Sequence, residues 1–225
     1  MKQLFLIRHA KSSWADGSLA DHERPLKRHG RRQAEAMAKP LQALGAFDGA
    51  IHASDASRVR QTLEGFDAAL PELTLSERVH YHPALYTFEE KRLRRWLKDA
   101  NLDDDCLTLV GHNPALLALA QRLTNQQVER LPTGSQIHLV LPITSWQQLD
   151  KARGKVVVTL TPTETSHALF KRKAPKPPAS DDSPLAKRLT RQLAHRYRMI
   201  RTLEPGVVAD FDPEFLHQYR VCQRH

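Results

Sequence analysis

The chain has 225 residues, of which 26% are charged and 40% hydrophobic, with a net charge of +9 and an isoelectric point of about 9.8. That length holds one ordinary domain with an appendage. No apolar run is long enough to cross a membrane, and Arg8 cuts the apolar start short of a secretion signal, so a cytoplasmic protein with no membrane association is expected.

The elements follow in chain order. Lys2–Ile7 reads as a first strand, and Arg8 and His9 stand at its end, followed by Ala10. Asp21-His22-Glu23-Arg24-Pro25-Leu26 leads into a helical pattern over Leu26–Leu44. Its Ala34, Met37, Ala38, Leu41 and Leu44 fall on one face at spacings of three and four. Pro40 should kink or shorten that helix, and Gly45 is a natural stop. Gly49–Ala53 reads as a second strand, and Arg58–Leu70 as a helix closed by Pro71. Arg78–Tyr81 is a short strand. Thr87–Ala100 is a helix with Phe88, Leu93, Trp96 and Leu97 on its inner side. Leu107–Val110 is a buried strand that ends in Gly111-His112, with a helix over Pro114–Leu123. Ile137–Leu141 and Lys155–Leu160 add two β segments.

Strands alternating with helices imply βαβ units and a largely parallel sheet. The expected fold class is therefore α/β, followed by a basic helical C-terminal extension. The expected boundaries are a first domain over 1–165, a Pro/Lys-rich linker over 166–183, and a helical segment over 184–225. The linker expectation rests on Lys171-Arg172-Lys173 and on Pro175, Pro177 and Pro178. In the last segment Leu185, Leu189, Leu193, Tyr197 and Ile200 form an apolar stripe that needs something to pack against.

Ligand crevices of open α/β sheets lie at the carboxyl ends of strands. A cation and an imidazole placed there, as Arg8 and His9 are, can hold a phosphoryl group and attack it. His112 ends a second strand, and Ser54-Asp55-Ala56-Ser57-Arg58 follows a third, so Arg58 is a further strand-end cation. Most of the 12 histidines read more simply as structural residues. His80 and His82 share a strand face, but no carboxylate or cysteine accompanies them as a metal site would require.

These residues resemble the histidine phosphatase superfamily. Its opening Arg-His-Gly reads here Arg8-His9-Ala10. The order that follows is that of the small SixA-type phosphohistidine phosphatases: Arg24-Pro25-Leu26, then Ser54-x-x-x-Arg58-x-x-Gln61-Thr62, then Gly111-His112. Ala10 departs from the usual glycine, but it is small and leaves the nucleophile unchanged. The resemblance spans roughly residues 1–162 and implies a three-layer αβα sandwich. It also implies catalytic roles for Arg8, His9, Arg58 and His112. His9 would attack phosphorus as a neutral imidazole, the arginines would hold the phosphoryl oxygens, and His112, if protonated, would add another donor. Arg24 would bind substrate. No metal and no cofactor is expected, since the cations replace the magnesium of other phosphoryl enzymes.

Many superfamily members carry a catalytic acid after the third strand, where this chain has Glu89 and Glu90. SixA-type proteins lack that acid. Phosphohistidine of a protein is then the first expectation, because imidazole leaves with little help. A small-molecule phosphomonoesterase with Glu89 or Glu90 as the acid is the second. A third rests on Asp212-Pro213-Glu214 and His217-x-x-Arg220-Val221, which resemble the opening of a CHAD domain, a helical module linked to polyphosphate. That resemblance implies a basic polyphosphate-binding segment, either a truncated remnant or part of a longer fusion. A basic chain seeks an acidic partner. Much of the charge is local, in Lys171-Arg172-Lys173 and in Arg92, Arg94 and Arg95, so nucleic acid is not the partner expected.

Overall fold

A computed structural model describes residues 1–126, 128–179 and 181–224. Two compact units emerge, Met1–Thr161 and Pro162–His225.

The first unit is built on β1 (Lys2–Arg8), α1 (Arg28–Ala43), β2 (Ala50–Ser54), α2 (Ser57–Ala69), α3 (Leu75–Arg78), β3 (Val79–His82), α4 (Glu90–Asp99), β4 (Cys106–Gly111), α5 (Ala115–Thr124), β5 (Gln136–Leu141) and β6 (Lys155–Leu160). The strands form one six-stranded sheet in the order β3-β2-β4-β1-β5-β6. From β3 to β1 all pairings are parallel, and β5 and β6 add to the β1 side antiparallel. The α/β class and the largely parallel sheet expected from the sequence are both present.

β1 sits in the middle of the sheet, which explains why Leu4, Phe5, Leu6 and Ile7 are all fully buried. A strand covered on both faces reads as a continuous apolar run rather than an alternating one. Leu4 and Leu6 join Leu107, Leu109, Ile137 and Leu139 in a core that also takes Leu93 and Leu97 of α4 and Leu116, Leu119 and Leu123 of α5. Phe5 and Ile7 alternate to the other face. α1 and α2 pack on each other and bury Met37, Leu41, Val59, Leu63 and Phe66. Helices on both faces of the sheet make the three layers.

Several boundaries moved. Pro40 lies inside the last turn of α1 without ending it; the helix stops at Ala43, and Gly45 takes a φ of +80°. α4 begins at Glu90 rather than Thr87, because the Thr87 hydroxyl accepts the Glu89 N–H and forms a turn of its own. Phe88 therefore lies outside the helix and is half exposed, not on its inner side. β3 is one residue later than expected, since Leu75–Arg78 is helical.

The second unit contains α6 (Pro162–Thr165), α7 (His167–Phe170), α8 (Leu185–Ala209) and α9 (Glu214–Arg224). Phe170, Leu203 and Phe215 form its small core. The stretch expected as linker, 166–183, thus opens with a helical turn that buries Leu169 and Phe170; an aromatic seated in a core holds that turn in place. Leu185, Leu189, Leu193 and Tyr197 of the apolar stripe are exposed. No helix among the described residues is long and apolar enough to cross a membrane.

Candidate active site

Three neighbouring parallel strands, β2, β4 and β1, end on the same edge of the sheet, so residues far apart in the chain converge there. Arg8 at the end of β1 is in register with Gly111 at the end of β4. His9 and His112 are the next residues, and their ring centroids are 5.2 Å apart. β2 ends at Ser54 and α2 follows at once, which puts Arg58 in its first turn. Main-chain hydrogen bonds fix the β1 end: His9 N–H donates to Gly111 O (3.1 Å), and Gly134 N–H reaches the carbonyls of Arg8 and His9. Ala10 N–H donates to Thr62 Oγ1 (3.0 Å), whose hydroxyl donates in turn to Arg58 O (2.6 Å). That chain ties the His9 segment to the helix that carries Arg58.

The hydrogen bonds assign the tautomers. His9 Nδ1 lies 2.8 Å from Ala10 O, and a carbonyl only accepts. The proton is therefore on Nδ1, and Nε2 keeps its lone pair. Burial pushes the His9 pKa down to about 4; the bond to Ala10 opposes that shift, and the charges of Arg58, Arg8 and Arg24 add to it. Near neutral pH this imidazole is uncharged. His112 Nδ1 lies 3.4 Å from Arg58 Nη2, which only donates, and His112 Nε2–H donates to Ser54 Oγ at 2.9 Å. Burial, His9 and Arg58 together lower the His112 pKa to about 2, against the opposing charge of Asp21. The condition attached to His112, that it donates if protonated, is not met in this state. A buried imidazole beside the Arg58 guanidinium is neutral, and both its nitrogens are occupied.

The arginines differ in how they are held. Arg8 Nη1 donates to Leu131 O (2.9 Å), while its Nε is buried with no hydrogen-bond partner among the described residues. Arg58 is 3% exposed; it donates through Nη1 to Asp21 O and through Nη2 to Asp21 Oδ2 (2.8 Å). Arg24 has all three nitrogens engaged, with Ser13 O, Asp21 Oδ1 and Ser12 Oγ, and its guanidinium stacks 3.1 Å from the Trp14 ring centre. It is close enough to bias His9 by its charge.

Glu89 is not brought into this cluster. Its exposed carboxylate pairs with Arg92 at 3.2 Å, and Glu90 pairs with Arg94 (2.8 Å) and Arg122 (3.6 Å). Arg92 and Arg94 lie in α4 itself and Arg122 in α5. In place of the two glutamates stand residues whose part was not read from the sequence: Asp21, Tyr86, Ser54 and Thr62. Tyr86 Oη donates to Asp21 Oδ2 (2.7 Å), and its ring lies edge-on to His112, 5.3 Å between centroids. The signal for Asp21 was its place three residues before Arg24, the spacing of an ion pair on one turn. His80 and His82 gather with His52, but no group of three metal-capable side chains with ligand geometry occurs among the described residues.

Known proteins share this arrangement of chain. The profile of the histidine phosphatase superfamily (branch 1) matches residues 4–86. An uncharacterized chloroplastic protein of Arabidopsis thaliana is 31% identical over 154 residues, which cover 65% of this chain and 70% of that protein. Among solved structures, a putative phosphohistidine phosphatase SixA from Nakamurella multipartitia superposes with a TM-score of 0.59 at 24% identity, over 72% of this chain and 96% of its own. The protein histidine phosphatase SixA complexed with tungstate gives 0.58 at 19% identity, over 71% and 97%. These two superpositions establish a common fold. The matched profile runs from β1 through Tyr86, and the Arabidopsis relative aligns over most of both chains. The chain therefore belongs to the histidine phosphatase superfamily and is a phosphatase acting on a phosphorylated substrate.

Proposed function

We propose that the chain removes the phosphoryl group from phosphohistidine on a protein, through a phosphohistidine formed on His9. In the first step His9 Nε2 attacks phosphorus in line with the leaving imidazole. The new P–N bond forms as the old one breaks, and the substrate nitrogen keeps the electron pair. In the second step water attacks the same phosphorus and the His9 imidazole is released. Arg8 and Arg58 hold the phosphoryl oxygens by charge-assisted hydrogen bonds, with the unpaired Arg8 Nε as one donor. His112 adds a further donor once the arriving anion raises its proton affinity. Arg24 contributes its charge and holds the segment that carries Asp21. A fixed cage of this kind stabilises the transition state by position and charge.

One observation carries the choice of substrate: among the described residues no carboxyl group is hydrogen-bonded to His9 or His112. Asp21 is bonded to Arg58, Arg24 and Tyr86. Desolvation raises its pKa, but those partners outweigh it and hold it at about 2, so it is ionised. Glu89 and Glu90 are paired with arginines elsewhere. An alkoxide leaving group needs a general acid, whereas an imidazole needs far less help. The names of the two SixA neighbours fit the same choice.

A panel assay tests the reading. A phosphohistidine-bearing phosphotransfer protein, a phosphoserine peptide and polyphosphate are compared, with His9→Ala as control. Release of phosphate from phosphohistidine, little from the ester, and none from any of the three with His9→Ala is the expected result. Preferential ester hydrolysis by the wild-type chain overturns it.

A further inference from the structure

Asp21 has no direct step in phosphoryl transfer through His9, yet its hydrogen bonds reach Arg58, Arg24 and Tyr86. Its main-chain carbonyl takes Arg58 Nη1, and its Oδ2 takes Arg58 Nη2 at 2.8 Å. The same Oδ2 takes the Tyr86 hydroxyl at 2.7 Å, and Oδ1 takes Arg24 Nη1 at 2.6 Å. These contacts close a ring. From Asp21 Oδ2 the path runs to Arg58 Nη2, from there to His112 Nδ1 at 3.4 Å, across the edge-on contact of the His112 and Tyr86 rings, and back through Tyr86 Oη to Oδ2. Arg58 comes from α2, His112 from the end of β4, Tyr86 from the turn after β3, and Asp21 from the turn before α1. One carboxylate thus joins four separate segments around the reacting edge of the sheet.

We propose that Asp21 is a positioning residue for phosphoryl transfer, which holds the Arg58 guanidinium by two points and Tyr86 against His112, so that the oxyanion cage is set before substrate arrives. This rests on the reading that Arg58 and His112 receive the phosphoryl group.

The physical case is one of geometry against charge. A guanidinium is a rigid planar fork, but it hangs on a chain with several rotatable bonds. Two acceptors on one residue, the Asp21 carbonyl and carboxylate, fix the plane of the fork and with it the direction of its remaining N–H groups. Arg58 is 3% exposed, so water cannot replace acceptors that are removed. Tyr86 is held by the same atom, so a shift of the carboxylate moves both walls of the His112 slot together. Charge alone acts the other way: a carboxylate beside the cage repels an incoming dianion. The two effects therefore predict opposite signs for removal of the charge.

The test is Asp21→Asn, which keeps the shape of the side chain and removes its charge, read by calorimetric titration with tungstate and by kcat and KM on a phosphohistidine-bearing phosphotransfer protein. Positioning predicts tungstate binding weakened by about tenfold or more, and kcat lowered by at least about tenfold with KM changed far less, the scale on which small misplacements of a binding group act. Tyr86→Phe keeps the ring and removes one of the donors to Oδ2; it is expected to weaken tungstate by about threefold to tenfold, the worth of one hydrogen bond, and it decides the matter if Asp21→Asn does not fold. Tungstate affinity that is unchanged or tighter in the folded variant overturns the proposal and makes Asp21 a bystander or a competitor of the substrate. If the wild-type chain binds tungstate but does not hydrolyse phosphohistidine, the substrate reading fails while the tungstate titration still decides the role of Asp21.

Discussion

At the scale of single residues, what distinguishes the His9 imidazole from the other histidines is its hydrogen bond. Ala10 O takes the Nδ1 proton at 2.8 Å, and burial among three arginines keeps the ring uncharged. The nitrogen proposed as nucleophile is thereby fixed without a carboxylate partner, whose negative charge would raise the ring's pKa. Arg58 is the cation most enclosed by the cluster. Arg58→Ala is expected to lower kcat/KM by about 10²-fold or more, as loss of a preorganised transition-state donor does, while the far-UV circular dichroism stays that of the wild type. An unchanged rate in that variant removes Arg58 from the site. Arg8 and His9 were singled out because they follow directly on an apolar run, and His112 and Arg58 because they lie shortly after strand ends; the sheet edge brings all four together. Asp21 and Tyr86 were not singled out, since their importance lies in contacts between segments 65 residues apart in the chain. Glu89 was read only as a possible acid. Its position after the third strand suggested that role, but its carboxylate pairs with Arg92.

At the scale of elements, the strands were the most readable parts, because β1 and β4 are covered on both faces and show as apolar runs, β4 broken only by Thr108, whose hydroxyl donates to Ala46 O. Helix ends were less so. The start of α4 is set by one hydroxyl–amide bond, and the end of α8 by Asp210, which takes a left-handed conformation (φ +56°) and donates its N–H to Gly206 O. The β2–β3 pair carries a consequence of its own. His52 on β2 is hydrogen-bonded to His82 on β3 at 2.9 Å and stacked on His80, with Trp96 of α4 against it. Burial, with the charges of His82 and His80 adding and that of Asp104 opposing, lowers its pKa to about 4. His9 is likewise held at about 4 and His112 at about 2. These groups titrate lower in the folded chain than the ordinary imidazole value of 6.5. Between about pH 6.5 and about pH 4 the unfolded chain therefore binds protons that the folded chain does not, and stability falls as pH drops through that window. Thermal melting followed from about pH 7.5 to about pH 4.5 should show Tm decreasing steadily below about pH 6.5. A Tm that is flat across the window contradicts buried neutral histidines in the fold.

At the scale of the whole molecule, the parallel order β3-β2-β4-β1 makes the site. Strand-to-helix connections return each next strand in the same direction, so the carboxyl ends of β1, β2 and β4 line one edge and bring residues 8, 9, 58 and 112 together. Alternation of strands and helices made this architecture readable, and the antiparallel addition of β5 and β6 completes the sheet without touching that edge order. The second unit, Pro162–His225, has its own small core of Phe170, Leu203 and Phe215. The convergence is tested most directly by trapping the covalent intermediate. The full chain is mixed with a phosphohistidine-bearing phosphotransfer protein, quenched within the first turnover under alkaline conditions that preserve phosphohistidine, digested, and mapped by mass spectrometry. A phosphoryl group on Nε2 of His9, absent from the His9→Ala chain, is the result expected. Continued turnover by His9→Ala, or a phosphoryl group found on another side chain with His9 unmodified, would contradict it.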